Sequence, residues 1–349
     1  MSALQTRATE LFGVKYPIVQ TAMGWVSSST LTAATANAGG LGILAAAVMS
    51  YDELALAITE TKARTKNNFG VNLRADSPDV VLFIELMARE GVKVASFALA
   101  PKQDLIKRCR DHGMVVMPSI GAKRHAEKVA AWGVDAVLVQ GGEGGGHTGQ
   151  VPTTLLLPQV VDAVDIPVIA AGGFFDGRGL VAALAYGAEG IAMGTRFLLT
   201  SDSTVGDEVK QVYLSKGVAE TVVTTEVDGV PHRVLRTEFV EQLLQSRTLG
   251  RLTRAGKNAL AFQKLSGTPW KDVITEGLAM RKNAELSLSQ LVMAANTPML
   301  LKAAMIDGRP DLGVMASGQV VGLIEDLPSC QELIDRIMSE AEATLKRLA

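Results

Sequence analysis

Short apolar runs recur along the first 200 residues, each followed by an Ala-rich segment with helical spacing. The runs are YPIVQTAM (16–23), LGILAAA (41–47), FGVNLR (69–74), VASFALA (94–100), VVMPSI (115–120), AVLVQG (136–141), PVIAAGG (167–173) and GIAMGT (190–195). Most are continuous and not alternating, the pattern of strands buried on both faces. Between them, stretches such as ELALAITETKAR (53–64) gather Leu54, Leu56, Ala57 and Ile58 on one side, with charges elsewhere. This repeated alternation predicts a closed (β/α)8 TIM barrel, an α/β fold. A doubly wound open sheet is the competing arrangement, but it normally uses fewer strands.

The pattern changes after residue 197. Charged helical stretches dominate, with one extended piece, ETVVTTEVDGVPHRVLRT, in which Asp228-Gly229 reads as a hairpin or sharp turn. Residues 1–200 and 305–349 are therefore expected to form the barrel, and 201–304 a smaller, mainly helical lid or substrate domain. The tail, with LGVMASGQVVGLI and a helical end, is expected to pack back on the barrel.

Composition narrows the setting. Nearly half of the 349 residues are apolar and the net charge is −2, with no long basic run, so no nucleic-acid partner is expected. Cys109 and Cys330 stand far apart in no metal-ligand spacing, so neither a disulfide framework nor a structural zinc site is expected. No signal peptide opens the chain, and no apolar run approaches the roughly 18 residues of a membrane span. The expectation is a protein of the reducing cytoplasm with no membrane contact.

In a barrel of this type, ligands sit at the C-terminal ends of the strands. Those ends read Ala22-Met23-Gly24, Asn72, Ser119, Gln140-Gly141, Gly172-Gly173 and Gly194-Thr195, small or polar after runs of valine and isoleucine. Glycines at the last two ends allow backbone N–H groups to approach an anion, and a helix opening near Asp176-Gly177 would add favourable partial charge. A phosphate site is one reading; tight strand–helix turns are the other.

VQGGEGGGHTGQ (139–150) places His147 among glycines. Gly144, Gly146 and Gly149 match the dinucleotide fingerprint G-x-G-x-x-G, but Pro152 follows and no immediate helix is expected to receive a pyrophosphate. A lone histidine is more often structural than catalytic. Its place on a Gly-rich loop at the functional end of the barrel favours a catalytic role here. His112 and His125 fall on the barrel's outside, and His232 in the second domain. No nucleophile elbow, H-E-x-x-H motif or acid pair at strand ends accompanies His147, so it stands without a conventional partner and no metal is expected. A phosphate grip with so few ionisable groups suggests chemistry borrowed from a phosphorylated cofactor, for which flavin mononucleotide (FMN) is a natural candidate.

The segments YPIVQTAMGWVSSSTLTAATANAGGLGIL, FGVNLRA, VLVQGGEGGGHTG, IPVIAAGGFFDGRGLVAALAYGAEGIAMGTRFLLT and ASGQVVG resemble, in order and spacing, the flavin-dependent nitronate monooxygenase family. This family was formerly called 2-nitropropane dioxygenases, and its relatives include flavin-dependent enoyl-acyl-carrier-protein reductases. The resemblance implies FMN as cofactor, with NADH or NADPH as the candidate electron donor or acceptor. It implies that Ala22, Met23 and Gly24 line the isoalloxazine, that Asn72 and Gln140 bond its polar edge, and that Gly172, Gly173, Gly194 and Thr195 hold the phosphate. Gly145, Gly146 and Gln319 join the implied cofactor set, and His147 matches the family's active-site histidine. Two departures stand out: Gly144 replaces a common alanine, and TAMGW lacks a glycine pair before the methionine.

QTAMGWV through ANAGGLGIL, with ASFALAPK, VVTTEVDGVPHRVLRTE and LVMAANTPMLLKAA, resembles a branch of steroid-ring catabolism. That branch acts on the CoA thioester of a hydroxylated, methyl-bearing indene carboxylic acid. The implied activity is a flavin-dependent redox step on an unsaturated cyclic acyl-CoA, with His147 exchanging the proton. His232, Arg233 and Arg236 would bind CoA phosphates, or are merely solvated charge. Oxidation of alkyl nitronates with O2 is the alternative activity, and a non-catalytic flavin or acyl-CoA binding protein the alternative of another class. A homodimer is the candidate assembly.

Overall fold

A computed structural model describes residues 4–245 and 288–349. Eight parallel strands close a barrel: β1 (Ile18–Gln20), β2 (Leu41–Ala45), β3 (Gly70–Leu73), β4 (Val94–Phe97), β5 (Val115–Ile120), β6 (Val137–Gln140), then β8 (Val168–Ala171) and β9 (Gly190–Met193). Strand β7 (Gly146–His147) is a two-residue piece outside the barrel. Closure is direct, since β1 pairs with β9 through Gln20 and Met193. The open-sheet alternative is thereby excluded.

Burial is two-sided, as the continuous apolar runs require. Val19, Leu41, Ile43, Val94, Met117, Leu138, Ile169 and Ala192 fill the interior. Their strand neighbours Ile18, Leu44, Ala95, Val116, Val137, Val168 and Ile191 join the layer facing the helices. The alternation follows from the period-two direction of strand side chains. Helix α1 (Arg7–Phe12) sends Ala8 and Phe12 into the interior cluster.

The outer ring comprises α2 (Ser29–Asn37), α3 (Tyr51–Arg64), α4 (Val80–Arg89), α5 (Gln103–Asp111), α6 (Lys123–Ala131), α7 (Thr153–Val161) and α8 (Gly177–Ala185). In α3 a Ser50–Glu53 capping box sets the start, and Leu54, Ile58 and Thr61 form the buried stripe. Leu56, grouped with that stripe on sequence grounds, is 60% exposed, because two residues past Leu54 lie on the far side of a 3.6-residue turn.

A single turn, α9 (Thr195–Leu198), follows β9, and then α10 (Asp207–Leu214). β10 (Thr221–Thr224) and β11 (His232–Leu235) are antiparallel, as the Asp228-Gly229 signal anticipates. α11 (Glu238–Gln245), α12 (Leu288–Met305) and α13 (Cys330–Leu348) complete the described elements. The helical pattern expected over TLGRLTRAGKNALAFQKL begins beyond α11 and lies outside the described residues. α13 is capped by a Ser329–Glu332 box and packs against α8 and α2, so the tail does return to the barrel. A Cβ on Gly177 would collide with the α13 backbone at Ala341, which is how closely the two helices meet. Among the described residues, no helix is long and apolar enough to cross a membrane.

Cys109 and Cys330 are both buried and free, and burial pushes each thiol up to about 12. At neutral pH neither thiol should therefore react with a disulfide reagent in the native protein, whereas both should titrate in denaturant. Rapid stoichiometric labelling of the native chain would contradict this packing.

Candidate active site

The mouth of the barrel is built from the strand ends. After β1 the chain turns sharply, with the Met23 N–H donating to Ser27 Oγ at 2.8 Å. Trp25 takes a left-handed φ of 66°, the one non-glycine to do so among the described residues. Its indole N–H donates to the Pro298 carbonyl of α12 at 2.9 Å, tying this loop to that helix. A Cβ on Gly24 would meet only Val48, at 3.7 Å, an ordinary packing contact, so no clash requires glycine at this position. Asn72, at the end of β3, is buried and donates to Ser96 Oγ of β4 at 3.0 Å.

Gly172 and Gly173 both have left-handed φ, 98° and 85°, a turn that side chains rarely tolerate. Ala171 pairs with Ala192, so this turn lies beside Gly194 and Thr195. Among the described residues, the backbone N–H groups of Gly173, Gly194 and Thr195 carry no hydrogen bond. Three adjacent unpaired donors suit a phosphate. The start of α8 does not join them. Asp176 accepts from the Gly179 N–H and Glu340 from the Gly177 N–H, each at 2.9 Å. Two carboxylates already complement that helix dipole, correcting the expectation that it would be free for an anion.

The loop after β6 differs most from its sequence reading. A helix does follow it at once, because Pro152 stands in the cap position of α7 with φ fixed at −58°. Its N-terminus is nevertheless occupied. Glu143 accepts from the Thr153 N–H at 2.9 Å and from Thr153 Oγ at 2.7 Å. A pyrophosphate there would meet a carboxylate. Gln140, expected at the flavin edge, donates instead to the carbonyls of His147 at 2.9 Å and Gly145 at 3.3 Å. A Cβ on Gly145 would lie 2.5 Å from the backbone of Ser317 and Gly318. That glycine is therefore required by contact with the tail, whereas Gly146, with nothing within 4 Å, faces open space. The tail is held in turn by bonds from the Gly318 N–H to Thr195 Oγ and from the Gln319 N–H to the Glu143 carbonyl, at 2.9 and 3.0 Å.

His147 is not alone. Strand β7 adds to β10 and β11 as a third strand, with His147 opposite His232 and Gly146 opposite Arg233. His147 Nε2 lies 2.6 Å from Asp228 Oδ2, and His232 Nδ1 reaches the same oxygen at 3.4 Å. The two rings are 4.7 Å apart and tilted by 53°. Asp228 and His232 are buried, whereas the His147 side chain is 59% exposed. Burial alone would push the Asp228 carboxyl up. Hydrogen bonds and charge from both imidazoles outweigh that and hold it well below the usual carboxylate range. Asp228 Oδ1 also accepts from the Val230 N–H at 3.2 Å, so the turn itself anchors the carboxylate.

Two histidines and a carboxylate form the composition of a metal site. The spacing does not match one. Ligand atoms about 2.1 Å from a tetrahedral ion sit about 3.4 Å from one another, and 2.6 Å is a direct hydrogen bond.

The three residues expected to grip CoA phosphates are separated. His232 is 3% exposed and turned to Asp228. Arg233 donates to the Gly142 carbonyl at 2.8 Å and to Thr221 Oγ at 2.9 Å, clamping the glycine loop. Arg236 pairs with Glu241 in an open cleft that also holds Lys216, Glu220 and Glu238, where carboxylates outnumber cations and oppose a phosphate. His112 and His125 lie on outer helices; His112 pairs with Glu85. Sequence reasoning missed Asp228 as a site residue because Asp-Gly is a strong turn signal. The i,i+4 spacing of Asp228 and His232 across that turn was the available clue.

The nitronate monooxygenase family profile matches residues 5–83 and 81–340. Two curated relatives share the name (3aS,4S,5R,7aS)-5-hydroxy-7a-methyl-1-oxo-octahydro-1H-indene-4-carboxyl-CoA dehydrogenase. The Rhodococcus jostii protein is 60% identical, covering 98% of this chain and 97% of its own. The Mycobacterium tuberculosis protein is 63% identical, covering 97% and 96%. Among solved structures, FabK from Thermotoga maritima superposes with a TM-score of 0.80 at 32% identity, over 99% of this chain and 98% of its own.

Two glycine substitutions test the loop geometry. Gly145→Ala must displace tail backbone and should cost about 1–3 kcal/mol, the usual penalty of overpacking. Gly146→Ala meets only its left-handed φ and should cost about 1 kcal/mol. Urea denaturation should rank Gly145→Ala as the less stable; the reverse order would refute the tail contact.

Proposed function

The chain belongs to the nitronate monooxygenase family, and on that premise we propose that it is an FMN-dependent dehydrogenase of a bicyclic acyl-CoA. The observation that carries this reading is identity of 60% and 63% to the two indene-carboxyl-CoA dehydrogenases, extending over 341 residues in each case. That span takes in the barrel and the β10–β11 pair that holds Asp228 and His232 alike. The relatives' names describe a ring-saturated thioester, so the proposed direction is oxidation. The sequence reading, a redox step on this class of acyl-CoA, leaves the direction of hydride flow open.

The cofactor site fits FMN. The free N–H groups of Gly173, Gly194 and Thr195 would take its phosphate, and the open backbone at Gly146 would leave room beside the ring. A bound flavin would supply a two-electron hydride acceptor. NAD+ or NADP+ is the final acceptor in this proposal. The residues of the chain do the rest. The mouth orients the thioester, and the exposed His147 ring takes the proton from the carbon α to the carbonyl. Deprotonation at that carbon is what makes loss of hydride from its neighbour feasible.

The test is anaerobic. The purified protein should release FMN on denaturation, and the indene-carboxyl-CoA thioester should bleach the flavin of the native protein. His147→Ala should keep its flavin and be reduced about 10²–10⁴-fold more slowly. A flavin that the thioester leaves oxidised, while an alkyl nitronate consumes oxygen rapidly, would overturn the reading in favour of nitronate oxidation.

A further inference from the structure

We propose that Asp228 is the positioning residue of His147, with His232 bracing the carboxylate from its buried side. The inference rests on the dehydrogenase reading and names the device that makes His147 a base.

His147 Nε2 is 2.6 Å from Asp228 Oδ2. Asp228 is held ionised and so can only accept, which puts a hydrogen on Nε2. In the neutral ring Nδ1 is then the lone-pair nitrogen, and no described residue meets it. A histidine with one nitrogen bonded to a buried carboxylate and the other bare is poised to remove a proton. The backbone on either side is also fixed. Gln140 holds the His147 carbonyl, the Thr148 N–H donates to the Pro231 carbonyl, and β11 pairs across from the residue. The ring can therefore turn only about its side-chain bonds, and Asp228 stops that rotation.

His232 supplies the second observation. It is 97% buried by its exposure of 3%, and its Nε2 meets no hydrogen-bond partner. A buried polar atom without a partner is unfavourable, and an apolar side chain would avoid that cost. What the ring does provide is Nδ1 on the oxygen that His147 also uses. It braces the carboxylate and adds favourable charge whenever it is protonated.

The step balances within this arrangement. The α C–H bond breaks and its proton moves to His147 Nδ1. The released electron pair forms the Cα–Cβ double bond as the β C–H bond breaks. The hydride from the β carbon would pass to the flavin of that dehydrogenase reading, the two-electron oxidant that balances oxidation of the thioester. The imidazolium so formed stands against the Asp228 carboxylate, which stabilises it without taking the proton.

The test compares wild type, Asp228→Asn and His232→Gln holoenzymes in anaerobic single turnover, using the indene-carboxyl-CoA thioester with and without deuterium at its α carbon. In Asp228→Asn the limiting rate of flavin bleaching should fall about 10²–10⁴-fold, with half-saturation changed by about twofold or less and a larger α-deuterium isotope effect. His232→Gln should lose less. Bleaching within about twofold of wild type, or a slower rate with an unchanged isotope effect, would overturn the assignment. A second measurement needs neither substrate nor flavin turnover. Proton NMR should show one imidazole N–H far downfield of the amide envelope, lost in both His147→Gln and Asp228→Asn. Its absence from the wild type would also overturn the pairing. If the thioester fails to bleach the wild type while that signal is present, the substrate reading falls and the pairing stands.

Discussion

A two-residue antiparallel contact, Gly146–His147 against His232–Arg233, is the constraint on which the candidate site depends. A glycine-rich loop has little of its own to hold it, since glycine loses the most conformational freedom on ordering and supplies no side chain to pack. Here the β10–β11 pair offers a sheet edge, and the loop becomes its third strand. The same strand supplies the Arg233 clamp on Gly142, and the turn before it supplies Asp228. Removing that edge would leave His147 on a loop free to adopt many conformations at the barrel mouth.

The distribution of negative charge around this loop follows from the same economy of backbone. Glu143 closes the N-terminus of α7, Asp176 and Glu340 close that of α8, and Asp228 faces His147. Each carboxylate meets a donor of the protein's own: a backbone N–H at the two helix starts and an imidazole N–H at His147. The N–H groups left without partners at Gly173, Gly194 and Thr195 therefore stand out as the place where an outside anion meets least opposition. The tail bonds both Thr195 and Glu143, which couples the end of β9 to the histidine loop.

Much of the barrel could be read from the chain alone. All eight strands fall inside the apolar runs, because strands buried on both faces must be apolar throughout and so declare themselves locally. The turn at Asp228-Gly229 and the return of the C-terminal helix are also local, the first from turn chemistry and the second from an amphipathic stripe. The positions at the strand ends were legible too: the glycines Gly172 and Gly173, whose left-handed φ forms the turn after β8, and His147 on the loop after β6.

What the chain alone did not disclose is who meets whom. The sequence placed His147 without a partner and grouped His232 with Arg233 and Arg236 as neighbours in a phosphate cluster. In the fold, the strand sends His232 to Asp228, Arg233 to the glycine loop and Arg236 to an acidic cleft. Gln140 and Gly145 likewise turned towards the protein's own backbone. The reason is one of range. Apolar periodicity reports burial, which each segment encodes for itself, whereas a hydrogen bond between residues 81 positions apart exists only after the chain has closed.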